Sequence, residues 1–331
     1  MANATLKRVL LASRVLRVAA RLRLKGAAIL MYHSVCEDPR EVESSLGRMV
    51  HSRSVFAQQM ETLAKDFHPV SLDSVLRFVK GEEDLSDRAV AVTFDDGYRD
   101  NFEVALPILE RLGIPAAFYA TVDCVERRRL PWPSRLRFAF FTTRKSEWPD
   151  ESGKRWSLTT PEGRESAYLA ACDRVAKLAG DPQERLILGW ESDLERSLPS
   201  ESGEGMMTWE QLRSLAQKGY VVGSHTMTHP NLAFADAAAV RWELVESKRR
   251  MESHLGQPVD HFSYPCPALS PNWSELTTAE VRSAGYQTAI TTTSGLALKN
   301  DNPLALKRVL PTKTIDGLLW NLEAVFAGKA V

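Results

Sequence analysis

An α/β fold built on a parallel sheet or barrel, carrying a mainly helical insertion, is what the sequence predicts. Three observations lead there. Short, wholly apolar runs alternate with stretches of helical periodicity, the pattern of strands buried on both faces with helices packed over them. Two of the runs end in paired carboxylates or paired histidines. The alternation stops between residues 124 and 205 and then resumes. At 331 residues the chain exceeds an average domain of about 100–200 residues, yet a single barrel with an insertion accommodates it.

Ala27-Ala28-Ile29-Leu30-Met31-Tyr32 reads as a first buried strand, ending at His33. Phe56, Met60 and Leu63 recur at helical spacing and predict a helix over about 54–65. Ser71 caps a second helix through Val75, Leu76 and Val79. A strand follows over 89–94. The helix holding Ala105, Leu106, Ile108, Leu109 and Leu112 stops at Gly113, and Ala116 to Val122 is the next strand. Residues 124–205 show helix-like patches at 164–179 and 182–197, no convincing buried strand, and Trp132, Trp148, Trp156 and Trp190. A stretch this long is expected to form a helical insertion or cap. Thr208 to Leu212 then opens a capped helix. The strand-like run Tyr220-Val221-Val222-Gly223 follows, and a helix through Val240, Leu244, Val245 and Met251. A strand-end segment at 261–265, a helix over 275–284, a strand over 288–292 and a last strand near 306–310 complete the pattern. The expected organisation is a basic arm at 1–26, a barrel from 27–123 and 206–331, and the insertion at 124–205.

Hydrophobic content of 44% and charged content of 25% are ordinary for a globular protein. The formal net charge of +0 supplies no field favouring nucleic acid, and no nucleic-acid partner is expected. Four scattered cysteines without a C-x-x-C pair indicate neither a cysteine zinc site nor a disulfide framework. The first 25 residues carry Lys7, Arg8, Arg14, Arg17, Arg21, Arg23 and Lys25 without an acid, and arginine interrupts their apolar stretch too often for a secretory signal. Such an arm can lie on an anionic membrane surface, or be a plain helix packed on the domain. The expected location is cytoplasmic, with peripheral contact at the inner membrane face.

The chemistry rests on Thr93-Phe94-Asp95-Asp96-Gly97-Tyr98 and His225-Thr226-Met227-Thr228-His229. Histidines four apart face the same side of a helical turn. One carboxylate completes a His-His-Asp set with open positions, the mark of a catalytic metal site. Adjacent residues at a strand end point in different directions. One Asp can therefore reach the metal while the other faces a water. Either segment alone is weak, since Asp-Asp-Gly is usually a turn. Both together, at strand ends where catalytic groups collect, point to hydrolysis by an activated water.

These two segments resemble the first two motifs of the polysaccharide deacetylases, the NodB-homology carbohydrate esterases. Ser224 to Leu232 is similar to the whole second motif, and Tyr32-His33-Ser34-Val35 resembles the opening of one branch. Gly113 to Phe118 and Ala284-Gly285-Tyr286 recur in similar contexts. The resemblance covers about 27–123 and 206–312. It implies a distorted (β/α) barrel and metal-dependent removal of N-acetyl groups from amino sugars. Carried over, Asp95 is the base; Asp96, His225 and His229 hold a divalent metal, zinc foremost. Tyr264-Pro265-Cys266 stands for the third motif, with the Cys266 backbone N–H as oxyanion donor. Tyr98, Tyr264, Pro265 and Arg308 are expected to line the substrate site.

Three departures stand out. The arginine that orients the base is missing from His261-Phe262-Ser263-Tyr264, leaving Arg308 on another strand as candidate. No late histidine follows His261, so the proton donor to the amine is unassigned, with His33 either entering the site or serving a structural hydrogen bond. The insertion interrupts a region that is shorter in minimal members. His51, His68 and His254 read as surface or capping residues. The expected substrate is an N-acetylated amino sugar in a glycan or lipid-linked glycan precursor. The alternatives are hydrolysis of a cyclic imide or other non-sugar amide, and a glycan-binding pseudoenzyme.

Overall fold

The computed structural model describes residues 24–198 and 205–329. The basic arm expected at 1–26 lies almost wholly outside the described residues, and Gly26 already opens the first strand. Among the described residues no helix is long and apolar enough to cross a membrane.

The centre is a nine-stranded sheet. Its strands are β1 (Gly26–Tyr32), β2 (His68–Pro69), β3 (Ala89–Phe94), β4 (Ala116–Ala120), β5 (Val221–Ser224), β6 (His261–Ser263), β7 (Thr288–Ser294), β8 (Ala297–Leu298) and β9 (Leu306–Arg308). They run in the order β8-β1-β3-β4-β5-β6-β7-β9, with β2 beside β3. All pairings are parallel except β8 against β1. The sheet nearly closes on itself just beyond β9. There Val309 N–H donates to Ile29 O (2.7 Å) and Met31 N–H donates to Val309 O (3.1 Å). The result is a distorted α/β barrel.

Period-two alternation sorts the strand residues into two cores. Ala28, Leu30 and Tyr32, Val90, Val92 and Phe94, and Phe118 pack outward under the helices. Ala27, Ile29, Ala91, Ala117, Tyr119, Ile290 and Leu306 fill the interior with Leu72, Val75, Phe78 and Val79 of the helix Leu72–Val79. Ser71 caps that helix and Thr208 forms a capping box with Gln211, as the sequence predicts. Gly113 ends its helix in the left-handed conformation.

Between β4 and β5 the chain is mainly helical, with helices Val122–Arg127, Trp132–Thr142, Pro161–Val175 and Gly180–Asp193. A small antiparallel pair, Glu147–Pro149 with Arg155–Ser157, joins them. Trp132, Leu136, Phe140, Trp148, Ile187 and Trp190 form a hydrophobic cluster of their own. The helix Trp132–Thr142 escapes sequence reading because it buries most of its circumference, including Arg135, and so lacks a periodic polar face. The helix Ile315–Phe326 and the two-residue β8 also go unread.

Two expectations need correction. His51 is no surface residue. It is 4% exposed, its ring lies 5.1 Å from that of Tyr32, and Nε2 is 3.3 Å from Thr312 O. And the His-x-x-x-His segment is a loop, not a helical turn, with Thr226 at φ +69° and His229 at φ +62°.

Candidate active site

Strand parity delivers the first groups to the mouth of the barrel. Ala91 faces the interior, so Thr93 and Asp95 continue on that side. Ile29, Met31 and His33 do the same on β1, and Leu306 and Arg308 on β9. Asp96 is on the opposite parity and breaks it with φ +73°, followed by Gly97 at φ +90°. A Cβ on Gly97 would lie 3.1 Å from Ala120 Cβ, so the turn needs glycine for both its angle and its closeness to β4. Non-glycine residues with positive φ are uncommon and concentrate at functional sites. Here Asp96 and His229 are two of them on one cavity, and Thr226 is a third in the loop that carries His229.

Asp96 Oδ1 lies 3.4 Å from His225 Nε2 and 3.2 Å from His229 Nε2, all buried. These ligand atoms fall within 4.8 Å of one another. His225 Nδ1 is 2.8 Å from Ser263 O, and a carbonyl only accepts, so Nδ1 carries the proton. In the neutral ring the Nε2 lone pair then faces a carboxylate oxygen. Two electron-rich atoms facing each other out of water call for a cation between them. Asp96 Oδ1 is also buried without a hydrogen-bond partner. The residues therefore fit a divalent metal, and the Ser263 carbonyl is the outer partner that fixes the tautomer of His225.

The loop holding the histidines is pinned from behind. Glu243 Oε2 accepts from Met227 N–H (2.7 Å) and Thr228 N–H (2.9 Å), and Thr228 Oγ1 bonds its other oxygen. Burial raises the Glu243 carboxyl to about 7 against these hydrogen bonds. The Trp132 indole N–H donates to His229 O (2.9 Å). Neither contact is foreseen above. The signal for Glu243 is present in the sequence, since it lies on the apolar face, three residues after Val240 and beside Leu244.

Asp95 turns to other partners. Its Oδ2 pairs with Arg308 Nη1 at 2.8 Å, and its Oδ1 accepts from Ser263 Oγ at 3.1 Å. Arg308 Nε donates to Thr291 O (2.7 Å), while Nη2 is buried without a hydrogen-bond partner. Burial pushes the Asp95 carboxyl up, but the Arg308 guanidinium, His225 and His33 outweigh it and leave it below the usual range. Burial likewise opposes ionisation of Asp96, and its contacts with His225 and His229 pull it well below that range. Burial lowers His33, partly offset by the charges of Asp96 and Asp95. Ser263 is a further partner that sequence reasoning misses.

A cavity of about 240 Å3 joins these groups. Asp95, Asp96, His225, His229, His33, Tyr98, Tyr264, Cys266 and Arg308 all line it. The wall takes Pro267 and leaves out Pro265, which is buried; the Pro265 expectation is corrected accordingly. Arg308, on this wall, is paired with Asp95. Tyr98 is 1% exposed, with its hydroxyl 3.2 Å from Ser134 Oγ.

A family model described as polysaccharide deacetylase matches residues 82–289. The Bacillus subtilis (strain 168) protein YxkH, whose name places it among polysaccharide deacetylases, is 21% identical over 290 residues, 87% of this chain and 72% of that one. Among solved structures, the Streptococcus pyogenes deacetylase PplD in complex with acetate superposes with a TM-score of 0.61 at 18% identity, covering 91% of this chain and 99% of its own. IcaB from Ammonifex degensii gives 0.59 at 20% identity, covering 90% and 97%. These structural likenesses are likenesses of fold.

Proposed function

This chain belongs to the polysaccharide deacetylase family, and from that premise we propose that it is a metal-dependent hydrolase that removes N-acetyl groups from an amino sugar. The observation that carries the reading is the division of two adjacent buried carboxylates, one facing two histidines and the other an arginine. A divalent metal held by Asp96, His225 and His229, zinc by its nitrogen and oxygen donor set, would supply an acidified water and a polarised acetyl carbonyl.

Asp95 takes the proton of the attacking water. Ser263 and Arg308 hold its carboxylate in place and keep it ionised. The Cys266 N–H and the unpartnered Arg308 Nη2 are assigned to the oxyanion that develops on the carbonyl, a task in which one donor is worth about 100–1,000-fold in rate. His33 is the histidine on the cavity wall outside the Asp96 set, and it is assigned to protonate the leaving amine. The products are acetate and a free amine. The acetate named in the PplD structure is consistent with such a pocket. Arg308 against Asp95 speaks against the pseudoenzyme alternative, because an arginine from β9 stands where it can take the place of the missing third-motif arginine.

The glycan is proposed to be a precursor, free or lipid-linked, met at the cytoplasmic membrane face. The basic composition of residues 1–26 supports this. Acetate release from a panel of N-acetylated sugars and glycolipids, with and without chelator, tests the reading. Release from a sugar that stops with chelator supports it, whereas no acetate from any of these sugars, with ring opening of a cyclic imide or cleavage of another non-sugar amide in its place, overturns it. Equal liposome binding by full-length and arm-deleted protein would remove the membrane proposal.

A further inference from the structure

We propose that the site selects chain ends: a free or terminal N-acetylated sugar enters, and a residue inside a longer glycan does not. The inference rests on the N-deacetylase reading above and adds the substrate's form to it.

The cavity volume of about 240 Å3 is the first ground. Pockets for drug-sized ligands run to about 300–1,000 Å3, so this one has room for a single sugar ring with its acetamido group. The second ground is what stands around it. Barrel residues from Met31 to Arg308 form the floor. Met49 and, from the segment between β4 and β5, Pro131, Pro133, Ser134 and Tyr168 complete the lining with Cys266, Pro267 and Thr292. Passage of a polymer needs an open groove with two free ends across the triad. Here Met49, Pro131, Pro133 and Tyr168 offer apolar contact suited to the C–H face of one ring.

The third ground is that the walls are braced rather than hinged. Trp132, between the two prolines, is 3% exposed and donates to the backbone of a triad histidine. Ser134 meets Tyr98. Arg135 is buried and pairs with Glu191 (2.7 Å) and Glu184 (2.9 Å). Arg137 adds to the bracing. Its Nε donates to Glu43 O (3.3 Å), Nη1 pairs with Glu165 (3.1 Å), and its guanidinium lies 3.9 Å over the Phe141 ring and 5.9 Å from that of Tyr168. Gly47, at φ +54°, permits this approach, for a Cβ there would lie 2.6 Å from Arg137 Nε. One arginine thus spans from the stretch bearing Met49 to the helix bearing Tyr168.

The test uses full-length, metal-loaded protein and a set of tetrasaccharides of one amino sugar, each with a single N-acetyl group at either end or at an interior residue. Mass spectrometry reads which residue loses acetyl. The expected result is a kcat/KM at least 100-fold higher for one terminal position than for interior ones. Tyr168→Ala, and separately Arg137→Ala, should cut that ratio at least tenfold by raising interior turnover. Calorimetry with Asp95→Asn reads the same preference in binding without turnover. Equal interior and terminal rates in the wild type, or equal binding to Asp95→Asn, overturn the inference and leave the deacetylase reading standing. Acetate release from no member of the set, with the metal present, rejects both.

Discussion

Asp95 and Asp96 are neighbours in sequence with opposite company. Asp95 meets an arginine at 2.8 Å, and Asp96 meets two imidazoles at 3.2 and 3.4 Å. A base must be ionised to act, so activity should rise with pH through the Asp95 pKa. Arg308 holds that pKa low, which sets the rising limb well to the acid side of neutrality. Arg308→Met removes the largest charge favouring the carboxylate. It should move the limb to higher pH and lower kcat by at least about 100–1,000-fold, since the oxyanion donor is lost with it. A pH–rate profile with an unmoved limb would contradict this role. The proton donor acts in the opposite sense. If His33 protonates the amine, activity falls as pH rises through its pKa, and His33→Gln should lose that falling limb together with about 10²–10⁴-fold in kcat. Loss of rate with the falling limb intact would return His33 to a structural role.

At the scale of the element, the loop 225–229 is the part that does not stand by local propensity. Two of its residues have positive φ, and Glu243 and Trp132 hold them from two sides. Glu243→Ala strands two buried N–H donors, each costing about 1–3 kcal/mol, and should lower metal affinity about 10–100-fold. Thermal unfolding and metal titration read both effects. Glu243→Gln keeps an acceptor and separates shape from charge. The folded pKa of about 7 lies above the ordinary carboxylate value, so the folded state binds this proton more tightly than the unfolded one. The stabilisation is complete below about pH 4 and is lost as pH rises towards 7. Tm of the wild type should therefore fall across that window, and the fall should be shallower in Glu243→Gln. Parallel Tm curves for the two proteins would reject the raised pKa.

For the whole molecule, the barrel was legible because its strands are buried on both faces and read as unbroken apolar runs between helices. Asp95, Asp96, His225 and His229 were legible because they follow those runs directly. What escaped lies where contacts are distant in sequence. Arg308 was named as a candidate from the resemblance alone, for it reaches Asp95 across 213 positions where the sheet curls back and no local pattern announces the contact. Period reading assigned a helical turn to His225 and His229, whereas the loop gathers both rings by positive φ and a buried glutamate. Residues 1–23 lie outside the described structure, and the membrane proposal stands on their composition. Since a metal would bind the folded triad and not the unfolded chain, it should also stabilise the protein by about 2.7 kcal/mol at a hundredfold excess over Kd. The most direct measurement pairs metal content with acetate release for the wild type and Asp95→Asn. The account predicts a bound divalent metal in both proteins and acetate from the wild type alone, abolished by chelator. A chain without metal, activity that survives chelation, or an Asp95→Asn protein that still turns over at the wild-type rate would contradict it.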